Sequence, residues 1–170
     1  MFLHASEVFN PHDYKPTTQR LLVRCKCYLD QNKLIIALRR SHCTRCQKLF
    51  GAPFIHTIHL HPATFEWATA PAPISELADE YVIIDVKHRF RCKTCGSHVA
   101  SWNEAKQKWS VWGATLDRDS DGKIINWSLV KPTDHIFYGT RMLDVPDDLG
   151  KWEGYPNQSE VVITKLNDDE

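Results

Sequence analysis

Six cysteines occur in three closely spaced pairs, and this spacing is the clearest sign of chemistry in the chain. The pairs are Cys25 with Cys27, Cys43 with Cys46, and Cys92 with Cys95. Two thiolates one or two residues apart can bind the same metal ion from a single turn, and two such turns complete a tetrahedral zinc site. Three pairs therefore supply one complete four-sulfur site and leave one pair over for a second metal or for reactivity.

A disulfide framework is the rival interpretation of an even number of cysteines. A bridge within Cys25-x-Cys27 would be strained, because disulfides need a particular separation and dihedral angle. The first residues, 1–7, contain no basic segment followed by a long apolar one, so we expect no secretion signal. We therefore predict a cytoplasmic protein, and in that reducing compartment closely spaced cysteines favour metal binding over disulfides.

Length and charge limit the domain count and the kinds of partner. The chain has 170 residues, with 21 basic and 21 acidic side chains, and its formal net charge is zero. This balance predicts affinity neither for nucleic acid nor for an anionic membrane surface, and no apolar run reaches the roughly 18 residues of a spanning helix. We predict an irregular lead-in at 1–19, one zinc domain at 20–155 and a tail at 156–170. Nothing in the sequence indicates the oligomeric state.

Short β-prone segments outnumber helical patterns, so we predict a mostly β fold built from short antiparallel sheets. One hairpin is expected from residues 21–24 and 34–38, with the first cysteine pair on one arm. A second hairpin is expected from residues 99–102 and 109–112 around a polar turn. Residues 54–60 are predicted to form a further strand.

Spacing alone leaves two ways to pair the cysteines around a metal. Cys25 and Cys27 can join Cys43 and Cys46 in a local zinc ribbon, or they can join the distant pair that begins at Cys92. Composition does not decide between them.

An ordered set of motifs covers much of the chain. It consists of Cys-x-Cys, His-Cys-x-x-Cys-x-Lys, Gly-Ala-Pro-Phe, Phe-x-Cys-x-x-Cys-Gly, Gly-x-x-Leu-Asp and His-Ile-Phe, at 25–27, 42–48, 51–54, 90–96, 113–117 and 135–137. This set resembles the glutathione-dependent formaldehyde-activating enzyme family, which includes centromere protein V. The resemblance spans about residues 20–155 and implies the mostly β fold called Mss4-like. It also implies a structural zinc on Cys25, Cys27, Cys92 and Cys95.

The second metal site of that family departs from its pattern in this chain. The family uses Cys-x-Cys-x-x-Cys, whereas here the first position is Ser41, followed by Cys43 and Cys46. A neutral hydroxyl is a much poorer zinc ligand than a thiolate or an imidazole. Cys43 and Cys46 therefore remain possible ligands of a second zinc, and a Cys-x-x-Cys pair beside a histidine and a lysine is also a candidate reactive pair.

The activity implied by the resemblance is the joining of glutathione and formaldehyde to S-(hydroxymethyl)glutathione, a carbon–sulfur lyase reaction. The candidate catalytic residues are Cys43, Cys46, His59 and His135. The candidates for binding the carboxylates of glutathione by charge-assisted hydrogen bonds are Arg45, Lys48 and Arg91.

Two other functions are compatible with the same residues. The first is a lyase or isomerase that acts on another small molecule in the same pocket, with His59, His61 or His135 in acid–base roles. The second is a binding module that is held together by zinc and has no catalytic activity. The enzyme interpretation is preferred, with a small molecule as the partner.

Overall fold

The computed structural model describes residues 23–25, 35–67 and 73–162, and in the first of these ranges it describes the backbone alone. Over these ranges the chain forms ten strands, three short α-helices and three 3-10 turns. The strands are β1 (Val23–Cys25), β2 (Ile35–Ser41), β3 (Ile55–Leu60), β4 (Phe65–Trp67), β5 (Ala78–Ile84), β6 (Lys87–Cys92), β7 (His98–Asn103), β8 (Lys108–Trp112), β9 (Asp134–Ile136) and β10 (Gly150–Lys151). The helices are α1 (Thr44–Phe50), α2 (Ile74–Leu77) and α3 (Trp127–Val130), and the 3-10 turns are Pro62–Thr64, Gly113–Thr115 and Tyr138–Thr140.

Eight of these strands form one sheet, in the order β10-β9-β2-β3-β8-β7-β6-β5, and β1 pairs with β4 in a separate two-stranded sheet. Strand β9 runs parallel to both β2 and β10, whereas the other pairs of the large sheet are antiparallel. The predicted β content is therefore confirmed, but the prediction of short antiparallel sheets is corrected to one large mixed sheet. Parallel pairing of β9 with β2 and β10 is possible because a connection of more than a dozen residues separates β9 from each of them.

The two predicted hairpins have different outcomes. Strands β7 and β8 form the expected antiparallel hairpin, with Asn103 opposite Lys108. The expected pairing of β1 with β2 is wrong, because β1 pairs with β4 and β2 pairs with β3. The aromatic side chains of β4 pack against the large sheet. The Phe65 ring stacks on the Trp109 ring of β8, with centroids 3.9 Å apart.

One face of the large sheet carries the hydrophobic core. Side chains at alternate positions of the central strands are buried there, because successive residues of a strand point to opposite faces. The fully buried members are Ile58, Leu60, Ala78, Phe90, Ala100 and Val111. Partly buried aromatic residues, among them Trp67 and Trp109, complete this layer. The opposite face of the same strands is consequently free to carry polar residues.

Two further features complete the described fold. None of the described helices is long and apolar enough to cross a membrane, and α1, the longest of them, has seven residues. Beyond residue 155 the chain turns back on itself, where Glu153 N–H donates to the Glu160 carbonyl and Val162 N–H donates to the Lys151 carbonyl. Residues up to 162 therefore pack against the domain.

Candidate active site

The polar face of the large sheet forms the floor of a pocket. Its floor residues come from every second position of β3, β8, β7 and β6: Thr57, His59, Lys108, Ser110, Trp112, Ser101, Asn103, Lys87 and Arg89. The strand register places His59 opposite Ser110, Ser110 opposite Ser101, and Ser101 opposite Arg89. These four side chains consequently form one polar row that crosses the sheet.

The walls of the pocket come from segments at the ends of these strands. Ser41, Cys43 and Cys46 line it from the end of β2 and the start of α1, and Ile136, Phe137 and Tyr155 line it from the C-terminal part of the domain. The pocket is partly open to solvent, and its cavity volume is about 100 Å³. Pockets that bury a whole drug-sized ligand measure roughly 300–1,000 Å³. The pocket therefore fits a small molecule or the reactive end of a larger one.

The lining of the pocket carries three cations, Lys87, Arg89 and Lys108, and no aspartate or glutamate among the described residues. Arg89 is 7% exposed, and its Nε and Nη1 atoms have no hydrogen-bond acceptor within the described ranges. The guanidinium carbon lies 4.9 Å from the centre of the Trp112 ring. The indole Nε1 of Trp112 is likewise buried without an acceptor there. Buried donors of this kind are costly, and an anionic ligand would satisfy them.

The two pocket lysines are shifted toward their neutral forms. Burial, together with the nearby charges of Lys106, Arg39 and Lys87, lowers the pKa of Lys108 to about 8. Burial and the Arg89 charge also lower the pKa of Lys87. An amine with a pKa near 8 exists in both protonation states near neutral pH, so Lys108 can accept and return a proton.

Cys43 and Cys46 lie next to each other because α1 begins between them. Cys43 is the residue that precedes the helix, and its carbonyl accepts the first helical hydrogen bond, from Gln47 N–H at 2.9 Å. The Cys46 thiol donates to the Cys43 sulfur, which lowers the pKa of Cys43 and raises that of Cys46. Arg89 Nη2 lies 4.0 Å from Cys46 Sγ. The pair is therefore polarised, with negative charge favoured on Cys43.

His59 is held in its neutral form in the polar row. Its Nδ1 atom lies 2.8 Å from the Ser110 hydroxyl oxygen. Burial lowers the pKa of His59 to about 3, and the charges of Lys108, Arg39 and Lys87 act in the same direction. An imidazole with so low a pKa is a weak base near neutral pH, so His59 is better suited to orient the Ser110 hydroxyl than to remove a proton.

Comparison with protein families identifies the type of protein to which this pocket belongs. A model of the family described as glutathione-dependent formaldehyde-activating enzyme matches residues 22–140, well over half of the chain. The chain belongs to this family. The resemblance seen in the sequence is thereby confirmed, and the matched span includes every residue that lines the pocket except Tyr155. No curated protein matches the chain.

His135, one of the predicted catalytic residues in this family member, lies behind the pocket and not in its lining. Its Nδ1 atom is 2.8 Å from His42 Nε2, and its Nε2 atom is 3.1 Å from both carboxylate oxygens of Asp147. Both histidines are completely buried. Arg40 and Lys151 also pair with Asp147. This network joins β2, β9 and β10, and it includes His42, the residue before Cys43.

The cations predicted to bind the carboxylates of glutathione are not among the residues that line the pocket. Arg45 and Lys48 are exposed on α1, and Arg91 is exposed on β6, with Nη2 3.4 Å from Asp79 Oδ2. The cations that do line it are Lys87, Arg89 and Lys108, and sequence reasoning missed all three. Lys108 could have been found from the alternation of polar and apolar residues in 108–111, whereas residues 87–89 are all polar and give no such signal.

The pocket offers an incomplete set of donors for a second zinc. It contributes the thiols of Cys43 and Cys46 and the hydroxyl of Ser41. The ring of the adjacent His42 is bound to His135 instead. In the part of the chain that the structure describes, no three histidine, cysteine, aspartate or glutamate side chains come together in a way that could hold a metal ion. We therefore derive no catalytic step through a metal at this position.

The predicted structural zinc site falls partly outside the described residues. Cys27 is not described, and of Cys25 only the backbone is described, as the last residue of β1. Cys92 and Cys95 lie in one tight turn, in which Gly96 N–H donates to the Cys92 carbonyl at 2.9 Å. Gly96 adopts a φ of +74° there, a conformation that favours glycine. This turn has the shape that delivers two thiolates to one metal, and the four-cysteine site stays a prediction.

Proposed function

We propose that the protein joins an anionic low-molecular-weight thiol, represented by glutathione, to formaldehyde or another small aldehyde in the pocket on the polar face of the sheet. The product is a hemithioacetal, which is the S-(hydroxymethyl) adduct when the aldehyde is formaldehyde, and the reverse reaction breaks the same carbon–sulfur bond. The observation that carries this proposal is Arg89, a buried guanidinium with two nitrogen atoms that lack a protein acceptor in the described ranges. Membership of the glutathione-dependent family supports the choice of thiol.

The size and charge of the pocket indicate how such a thiol binds. A volume of about 100 Å³ accommodates the sulfur, its carbon and an aldehyde, and leaves the remainder of a tripeptide at the mouth. Arg89 and the Trp112 indole N–H then face the sulfur and the aldehyde oxygen, where negative charge resides before and after the bond forms. Fixed donors aimed at developing charge lower the barrier of addition reactions.

Proton transfer is assigned to Lys108. Neutral Lys108 accepts the thiol proton, and the resulting thiolate attacks the carbonyl carbon of the aldehyde. The carbon–oxygen π bond breaks, and the alkoxide oxygen receives the proton back from the Lys108 ammonium. A pKa of about 8 suits both steps, because the same amine must act as a base and then as an acid.

We retain a structural zinc on Cys25, Cys27, Cys92 and Cys95 as part of the proposal. Such an ion would connect the start of the described chain to the end of β6, and structural zinc contributes directly to folding in small domains. No step of the reaction passes through it. We also retain the cytoplasm as the proposed compartment, because the thiols of the chain must stay reduced.

The two alternative functions have less support from the pocket. Histidine-based acid–base chemistry on another substrate would use His59 or His135, but the pKa of His59 is lowered to about 3 and His135 does not line the pocket. His61 is exposed and caps the 3-10 turn Pro62–Thr64. A non-catalytic binding module can be distinguished from our proposal by the rate of adduct formation. It would bind the thiol without accelerating that reaction.

The experiment compares Lys108→Met with Lys123→Met. We expect the native protein to accelerate exchange between glutathione, formaldehyde and the adduct, and Lys108→Met to reduce the rate by about 100-fold, a usual value for loss of a general acid–base. Lys123 is the control, because it is exposed, does not line the pocket and is not among the charges that act on Lys108. Exchange rates are measured by NMR with labelled formaldehyde.

The pH dependence of the same assay adds a second test. The native rate should rise with pH to a plateau, with a midpoint near the pKa of Lys108, and this midpoint should be absent in Lys108→Met. Equal losses in the two lysine variants would contradict the role of Lys108. Binding of glutathione by the native protein without any acceleration would favour the binding module.

A further inference from the structure

We propose that Cys43 and Cys46 act as a redox-active dithiol that reduces the disulfide of an anionic low-molecular-weight thiol. This activity uses the same pocket as the proposed addition reaction but does not depend on aldehyde chemistry. It would explain why two thiols line a ligand pocket. It would also explain why Ser41 occupies the position where a third cysteine would complete a metal site.

The local backbone places the two thiols on the same helical turn. Cys43 and Cys46 are three residues apart across the first turn of α1, which is closed by the hydrogen bond from Gln47 N–H to the Cys43 carbonyl. Residues at this spacing in a helical turn are neighbours, and Cys-x-x-Cys is the spacing of the reactive dithiols of disulfide oxidoreductases. Both side chains are partly exposed and line the pocket.

A second observation points to the charge of the partner. Arg89 is more than nine-tenths buried, is one of the residues that line the pocket, and has two nitrogen atoms without an acceptor in the described chain. Its third nitrogen, Nη2, lies 4.0 Å from Cys46 Sγ. A guanidinium in this position favours a negatively charged disulfide and stabilises the thiolate that leaves when the disulfide is cleaved.

The reaction balances in two exchanges. The Cys43 thiolate attacks one sulfur of the disulfide R–S–S–R, a bond forms between Cys43 and that sulfur, and the first thiolate R–S⁻ departs. Cys46 then loses its proton, attacks the Cys43 sulfur and displaces the second R–S⁻. The protein pair is oxidised by two electrons, the disulfide is reduced to two thiols, and the two cysteine protons pass to the products. An external dithiol, such as dithiothreitol in the assay, regenerates the protein by the reverse exchanges.

The test exposes the reduced full-length protein to glutathione disulfide, followed by acid quench, alkylation and peptide mass spectrometry. We expect the native protein to form a Cys43–Cys46 disulfide and to release glutathione. In Cys46→Ser the second exchange is blocked, so a glutathione adduct should accumulate on Cys43. Cys43→Ser should form neither product, and Cys46→Ala serves as a second trap if the serine variant does not fold.

Three outcomes would overturn the inference. The first is that no Cys43–Cys46 disulfide forms in the native protein. The second is that adducts appear on Cys95 as fast as on Cys43. The third is that the pair reacts only after a chelator removes a metal. Because glutathione binding and adduct formation with formaldehyde are measured separately on the same protein, each of these outcomes leaves the proposed function standing. Loss of glutathione binding would instead count against both.

Discussion

Replacement of Arg89 with methionine is expected to weaken glutathione binding by about 10- to 100-fold and also to raise the free energy of unfolding of the ligand-free protein. The first effect follows because hydrogen bonds to a charged group contribute about 1.5–3 kcal/mol. The second follows because Arg89 is 7% exposed and two of its nitrogen atoms have no protein acceptor in the described ranges. A buried charge of this kind is destabilising, and an apolar side chain of similar length removes that cost.

Opposite changes in binding and stability distinguish a ligand-binding arginine from a structural one. Binding is measured by titration calorimetry and stability by urea unfolding. We expect a gain of about 1 kcal/mol or more in the ligand-free variant. Arg91→Met is the matched control, since Arg91 is on the same strand but is exposed and pairs with Asp79. The account is contradicted if Arg89→Met loses stability while it binds glutathione as tightly as the native protein.

Mild acid is expected to destabilise the protein strongly between pH 6.5 and pH 4. Burial lowers the pKa of His59 to about 3 and that of His42 to about 4, from an ordinary value of 6.5. Between the folded and unfolded pKa values the unfolded chain binds more protons, so the free energy of unfolding falls as the pH falls. The stability is fully present above pH 6.5. From pH 7 to pH 5, each histidine should account for a loss of about 2 kcal/mol.

Urea unfolding at the two pH values measures this loss in the native protein and in His59→Gln. Glutamine can keep a hydrogen bond to Ser110 but does not titrate, so the variant should lose about 2 kcal/mol less than the native protein over this pH range. His61→Gln is the control, because His61 is exposed and lies outside the pocket. A pH dependence in His59→Gln that equals the native one would show that His59 is not buried in its neutral form.

Part of this fold could be predicted from local patterns. The strand predicted at 54–60 is present as Ile55–Leu60, and the β7–β8 hairpin could be predicted because β-prone residues flank a polar turn. The parallel pairing of β9 with β2 could not be predicted. This pairing joins the three-residue strand β9 to the end of β2, which is far away in the sequence. No local sequence pattern specifies a contact between residues so widely separated in the chain.

The candidate site shows the same division. Cys43, Cys46 and His59 could be singled out because their residue types have obvious chemistry, and all three line the pocket. Arg89 could not be separated from Arg91, because a register shift between Phe90 and Arg91 interrupts the regular alternation on β6. Burial and the neighbouring strands distinguish the two arginines, and both depend on tertiary structure.

The most direct test of the central claim is the NMR signal of the Trp112 indole N–H during a titration with glutathione. This donor lies in the pocket beside the guanidinium of Arg89 and has no acceptor among the described residues. The account predicts a large, saturable shift of this one indole signal. The signal is assigned by its loss in Trp112→Phe, and its shift should be much smaller in Arg89→Met. A titration in which the Trp112 signal does not move, while glutathione binds elsewhere or not at all, would contradict the account.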